Sequence, residues 1–189
     1  MSGTAEIHDA ILTPTKLELL AAWLPAQPWF EGKADDLTKV ASFRFVDPEG
    51  EVGIETILVA SAGVTYQVPV TYRGEPLEEA ARALIGELDH SVHGHRWVYD
   101  AVGDPVYVTE LFRVIHEGDN EADLSQGEKT MTAAGTGITS VSNAATEAAR
   151  IVRVLDGEHV PPGRLPLGVL NGSWTDANGK HEQILAVVR

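Results

Sequence analysis

The chain has 189 residues, 43 % of them hydrophobic, and sets 14 Lys and Arg against 28 Asp and Glu for a formal net charge of −14. That is enough apolar material for one domain or two small lobes packed together, and the acidity repels phosphate backbones and anionic membranes, so neither nucleic acid nor a membrane is expected as a partner. No cysteine is present, which excludes disulfides, thiolate catalysis and cysteine-ligated zinc.

Met1 to Ala10 lacks a basic start followed by an apolar run, and no apolar run approaches the ~18 residues of a membrane span. A cytoplasmic location is the expectation. Residues 5–12 suggest a short strand or an arm that tucks in Ile7, Ile11 and Leu12. Thr15 and Glu18 then fit a capping box, each side chain satisfying a free backbone N–H of the first helical turn. Leu17, Leu20, Ala21 and Leu24 follow at helical spacing on one face. Pro25 and Pro28 stop that helix, since proline lacks the donor and its ring clashes with the preceding turn.

Three strand patterns come next. Ala41, Phe43 and Phe45 alternate with Ser42 and Arg44, and Asp47-Pro48-Glu49-Gly50 supplies a turn. Val52 to Ala60 is the second strand, ended by Ser61-Ala62-Gly63. In the third, Val64, Tyr66, Val68, Val70 and Tyr72 share one face, and Pro69 on the other face predicts an edge strand or a bulge. Short turns between these neighbours predict an antiparallel meander.

After Arg73-Gly74-Glu75-Pro76, the residues Leu77, Ala80, Ala81, Leu84, Ile85 and Leu88 predict a second helix. An extended segment from His90 to Tyr99 follows. Asp104 as N-cap and Pro105 in the first turn open a third helix, with Val108, Leu111, Phe112 and Ile115 facing inward. The acidic stretch 117–129 predicts a mobile surface loop and a boundary between sub-domains. Gly135-Thr136-Gly137 and Ser140 to Thr146 keep the next part polar. Ala149 to Leu155, Leu167 to Trp174 and Glu182 to Val188 predict strands, with tight turns at Asp156-Gly157 and Asn178-Gly179.

Several of these stretches resemble one family. Trp23-Leu24-x-x-Gln27-x-Trp29-Phe30-x-Gly32-Lys33 is similar to the motif that opens actinobacterial maltokinases. Tyr66-Gln67-Val68-Pro69-Val70 resembles a strand of their cap domain. Trp97-Val98-Tyr99-Asp100-Ala101, followed by Asp104-Pro105 and the helix to Ile115, resembles the segment that closes the cap. Ala10 to Pro25 and Tyr72 to Tyr107 are more similar still to short, stand-alone proteins carrying a maltokinase N-terminal cap-like domain. Some of those are described as glycan-branching proteins; a branching enzyme is a large barrel with several acidic catalytic motifs, more than these residues hold.

In such kinases the resemblance implies a following lobe that cradles ATP and then a catalytic lobe with a His-Gly-Asp loop and a metal-binding Asp. Neither catalytic motif occurs in these 189 residues. Leu170-Asn171-Gly172-Ser173-Trp174-Thr175 stands nearest to the ATP-lobe loop, and Ile184 to Arg189 to its lysine strand. On that alignment Ala186 takes the lysine position, and a methyl group cannot pair a phosphate. No catalytic residue and no cofactor is carried over.

Two groups of residues merit a functional reading. Trp23, Trp29, Phe30 and Trp97, with Gln27, Tyr99 and Asp100 nearby, suggest a sugar-stacking platform, or a core plug pinning the first helix to the sheet, the stronger reading on burial tendencies. His93 and His95, on a strand, would share a side ~7 Å apart and be weak metal candidates, with Asp89 or Asp100 as an oxygen donor; surface histidines are the simpler reading. The expected fold is α+β: a curved antiparallel sheet packed with helices over residues 1–117, then a smaller, mostly antiparallel β lobe over 118–189, together one body. The leading expectation for function is a non-catalytic interaction or regulatory module, with a protein partner in maltose, trehalose or α-glucan metabolism. The alternative is a binder of a small sugar or sugar phosphate held between the lobes.

Overall fold

Thr15 starts the first helix as its side chain predicts. Its hydroxyl accepts from the Glu18 N–H at 3.3 Å, and the Glu18 carboxylate accepts from the Thr15 N–H at 2.7 Å. The helix, α1, runs Lys16–Trp23, and a 3-10 turn at Leu24–Ala26 holds Pro25 at its start. The computed structural model describes residues 3–138, 148–157 and 165–189. Among these the strands, in chain order, are β1 (Thr4–Ala5), β2 (Leu12–Thr13), β3 (Thr38–Val46), β4 (Gly53–Ser61), β5 (Val64–Arg73), β6 (Leu84–His90), β7 (Gly94–Asp100), β8 (Asp123–Leu124), β9 (Met131–Gly135), β10 (Ala149–Ile151), β11 (Gly168–Asp176) and β12 (Gly179–Val188). A second helix, α2, runs Pro105–Glu117.

The larger sheet is antiparallel, in the order β2-β6-β7-β5-β4-β3, and the smaller has the order β10-β12-β11-β9. The expected α+β class with its curved sheet and smaller antiparallel sheet is the observed one. Direct partners across an antiparallel pair share a face, so the register sorts the larger sheet's side chains. Glu55, Ile57 and Val59 of β4 pair with Val70, Val68 and Tyr66 of β5. These apolar residues lie with Leu19, Leu20 and Leu24 of α1 in one core. On the opposite face Phe43, Phe45, Ile54 and Leu58 pack with Leu111, Val114 and Ile115 of α2 and with Met131, Leu170, Trp174 and Leu185 of the smaller sheet.

The structure corrects several expectations. The apolar spacing of residues 77–88 does not give a helix: a 3-10 segment, Glu78–Ala83, breaks at Ala80, and β6 begins at Leu84. Pairing with β7 from Leu84 to His90 and burial of Leu88 outweigh the local helical preference. The backbone at Gly86 also sits so close to α1 that a Cβ would lie 2.8 Å from Leu19 Cδ2. β5, for which Pro69 predicted an edge or a bulge, is interior, and its register with β4 runs through Pro69 without a shift. Pairing with β7 stops at Val70, and along the other half of that side Gln67 donates its N–H to the Arg153 carbonyl. Pro69 stands where one neighbour gives way to the next, so its missing donor deprives no partner.

On α2 the inward residue is Tyr107, while Val108 is 41 % exposed; the helix starts at Pro105, which turns Tyr107 rather than Val108 toward the core. Ile11 is 76 % exposed rather than tucked in, because the arm pairs through its backbone, with the Ile11 carbonyl accepting from Ser91 N–H. The acidic stretch is a packed segment: Glu121 and Ala122 are buried, and β8 pairs in parallel with β1. Met131–Gly135, to which the sequence pattern assigns no element, is β9 and pairs with β11. The Ser140 to Thr146 stretch lies outside the described residues.

Candidate functional site

Of the opening aromatic motif, Phe30 is buried in the core while Trp23 and Trp29 are half-buried against it. Phe30 is buried against Tyr66 with ring centroids 4.8 Å apart, and Trp23 and Trp29 meet edge to face at 6.0 Å. Gln27 binds locally, its side-chain amide donating to the Trp23 carbonyl at 3.4 Å. Gly32 lets the chain press on β4: a Cβ there would fall 2.5 Å from Ser61 Oγ and 2.7 Å from the Phe30 ring. Lys33 N–H donates to that same hydroxyl at 2.6 Å, which in turn donates to Asp36.

Arg153 connects this cluster to Asp100. Its guanidinium lies 4.9 Å from the Trp29 ring, and its Nη2 donates to both Asp100 carboxylate oxygens at 2.8 and 2.6 Å. Asp100 therefore holds an arginine of a distant segment. Its β5 partner is Val70, which places it on the α1 face. Trp97 and Tyr99 lie on the other face of β7. Tyr99 accepts the Leu77 N–H at 2.8 Å, and Trp97 stands edge to face with the His95 ring at 4.6 Å. The sheet thus gathers Trp23, Gln27, Trp29, Phe30 and Asp100 on one side and separates Trp97 and Tyr99 from them.

The two candidate metal histidines are also parted. His95 binds Asp89 at 2.9 Å and Glu87 at 3.0 Å, hydrogen bonds that raise its pKa, that from Asp89 first. His93 lies in the β6–β7 turn, its ring 4.6 Å from those of His8 and His90. Among the described residues no group of three or more His, Asp or Glu is placed to hold a metal ion.

A cleft of about 600 Å³ lies elsewhere, under the N-terminal arm. The arm is tied at one end by β1–β8 and at the other by β2–β6. Residues 6–10 between these ties form the roof. The floor is the α1 face of the larger sheet at the ends of its strands, with Lys16, Arg44 and Tyr72 in its middle. Beneath them is Glu55, 2 % exposed. Its carboxylate accepts from Lys16 Nζ at 2.5 Å, Tyr72 Oη at 3.0 Å and Arg44 Nη2 at 3.1 Å, and Lys39 Nζ stands 3.9 Å away. Burial alone would raise this carboxyl, but Arg44, then Lys16 and Lys39, outweigh it and hold its pKa at about 2. Burial lowers the Lys16 ammonium, against the pull of Glu55. It also lowers His90 and His93, with neighbouring histidines and Arg96 adding to the effect.

None of the aromatic candidates lines this cleft. Sequence spacing does not show it, because Lys16, Arg44 and Arg96 come from three distant elements. One signal was available: Glu55 interrupts the apolar run Ile54 to Val59, and a carboxylate buried in such a strand requires cationic partners.

Residues 23–104 match the model of the maltokinase N-terminal cap domain family. The match runs from the last residue of α1 to the N-cap of α2 and so takes in five of the six strands of the larger sheet. No curated protein matches the chain.

Proposed function

We propose that this chain, which carries a maltokinase N-terminal cap domain over residues 23–104, is a non-catalytic interaction or regulatory module in maltose, trehalose or α-glucan metabolism. The family match is the observation that carries this reading. Support for a non-catalytic role comes from how the buried carboxylates are occupied. Asp100 holds Arg153; Asp104 caps α2 and holds Arg73; Glu55 gathers Lys16 and Arg44. Each is committed to holding the fold, where a phosphoryl-transfer site requires carboxylates free to bind metal or accept a proton.

The segment that resembles an ATP loop, Leu170 to Thr175, is strand β11, paired with β9 and β12 on its two sides. Ala186, at the position of the phosphate-pairing lysine, is fully buried. A partner surface is available on the cap's other face, where Leu84 is 36 % and Val102 42 % exposed. They flank the contact between Ala83 and Gly103, on the side of β7 that presents Trp97.

Affinity capture with the full chain from native cytosol tests this reading. The expected catch is an enzyme or kinase of maltose, trehalose or α-glucan metabolism, lost with Val102→Asp. A catch without any sugar-metabolic enzyme overturns the assignment. Transfer of phosphate from ATP to maltose by the purified chain overturns the non-catalytic part of it.

A further inference from the structure

We propose that the cleft under residues 6–10 is a binding site for a small phosphorylated ligand, with the phosphate at its Arg96 end. The volume, about 600 Å³, is that of a small-molecule site, which spans roughly 300–1,000 Å³. Its position follows from the sheet order. The lining crosses β6, β7, β5, β4 and β3 in turn, a width of about 19 Å at the usual strand spacing. Charge is distributed unevenly along that width. At the β6–β7 end stand the cation Arg96 and the imidazoles of His90 and His93, which burial favours in their neutral, hydrogen-bonding form, with His8 of the arm over them. Lys16 and Arg44 occupy the middle. At the β3–β4 end stand Asp47 and Glu51, with Glu6 of the arm.

The basic end is the one equipped for an anion. Among the described residues Arg96 has no carboxylate partner; its hydrogen bond goes to the His95 carbonyl at 3.2 Å. Its guanidinium reaches toward the chain at Gly74, where a Cβ would be 2.9 Å from Nη1. Arg44, Lys16 and Lys39 share the single carboxylate of Glu55, which leaves a cationic surplus at the floor of a chain whose net charge is −14. A guanidinium matches two phosphate oxygens at once, and imidazole N–H groups add donors. At the other end Asp47 is spent on its own turn, accepting from the backbone N–H groups of Glu49, Glu51 and Val52 at 3.0, 3.0 and 2.9 Å. Glu6 and Glu51 remain exposed there, with carboxylate oxygens available to accept hydrogen bonds from hydroxyl groups. A phosphate at one end and hydroxyls at the other describe a phosphorylated sugar or a nucleotide, which share the phosphate chemistry.

Calorimetric titration of the full chain at low salt separates these sources. Its probes are glucose 1-phosphate, glucose 6-phosphate, adenosine monophosphate, inorganic phosphate and unphosphorylated glucose. At least one phosphorylated probe binds and glucose does not; saturation raises the melting temperature, since the ligand binds only the folded chain. Arg96→Gln weakens that binding about tenfold or more, with circular dichroism unchanged because Arg96 holds no ion pair among the described residues. Arg82→Gln, an exposed arginine outside the cleft, leaves it as it was. The proposal is overturned if no phosphorylated probe binds, if glucose binds equally well, or if the Arg82 variant loses as much as the Arg96 variant. None of these results bears on which enzyme the chain captures.

Discussion

Glu55 shows how much one buried carboxylate can carry. Its folded pKa of about 2 lies below the ordinary 4.5. A depressed pKa means that the unfolded chain binds the proton more readily, so Glu55 contributes stability above about pH 4.5 and loses it as the pH falls toward 2. At about 1.4 kcal/mol per unit, its own share near neutrality is of the order of 3 kcal/mol. The lowered pKa of Lys16 acts the other way, because its ammonium is itself desolvated, so the cluster as a whole contributes less than Glu55 alone. Glu55→Gln leaves Lys16 and Arg44 without their counter-ion. We expect a loss of about 3 kcal/mol in urea unfolding at pH 7, and a difference from the parent chain that shrinks as the pH approaches 3. A variant that matches the parent at pH 7 would mean that solvent in the cleft satisfies both cations unaided.

At the scale of the element, α2 shows what sequence can and cannot convey. Asp104-Pro105 announces the helix start, and Asp104 does accept the Val106 N–H at 3.0 Å. The same carboxylate, fully buried, also takes Arg73 at 2.7 Å through each of two nitrogens and the Thr71 hydroxyl at 2.8 Å. Burial would raise its pKa, but Arg73, Thr71 and the capping N–H together lower it. Asp104→Asn keeps an oxygen for the cap but strands Arg73; Asp104→Ala loses both functions. Denaturation midpoints should rank parent, Asn, Ala, with the Ala variant about 1 kcal/mol below the Asn variant. An Asn variant as stable as the parent would assign Asp104 to capping alone. Capping residues and strand alternation are local, which is why α1, β3, β4, β5 and the start of α2 were legible. β6 was not, because Leu84, Ile85 and Leu88 suit a helix until β7 offers its backbone. β9 has only Met131 as a large apolar residue, and its partner β11 is far along the chain. The aromatic cluster was visible as a motif, whereas the cleft depends on Lys16, Arg44 and Arg96 converging through sheet register.

Across the whole molecule, the division at residue 117 does not divide the core. Phe43 and Phe45 of the larger sheet share one cluster with Met131, Trp174 and Leu185 of the smaller. The buried Gln67 side chain on β5 donates to the carbonyls of Val152 and Leu185, both at 2.8 Å. Parting the lobes would expose that apolar face to water and exchange the two Gln67 hydrogen bonds for bonds to water, so the cost lies mainly in the exposed apolar surface. We therefore expect the two lobes to lose their structure together. Calorimetry of the full chain should show one transition with equal calorimetric and van't Hoff enthalpies, about 130 kcal/mol near 60 °C at the usual value per residue. Trp174, buried between the sheets, should report the same midpoint by fluorescence as the backbone does by far-ultraviolet circular dichroism. Added salt should raise that midpoint by screening the self-repulsion of a chain with net charge −14. Gln67→Leu should lower it without splitting the transition. Two resolved transitions in the parent chain would refute a shared core and make residues 118–189 a separate folding unit.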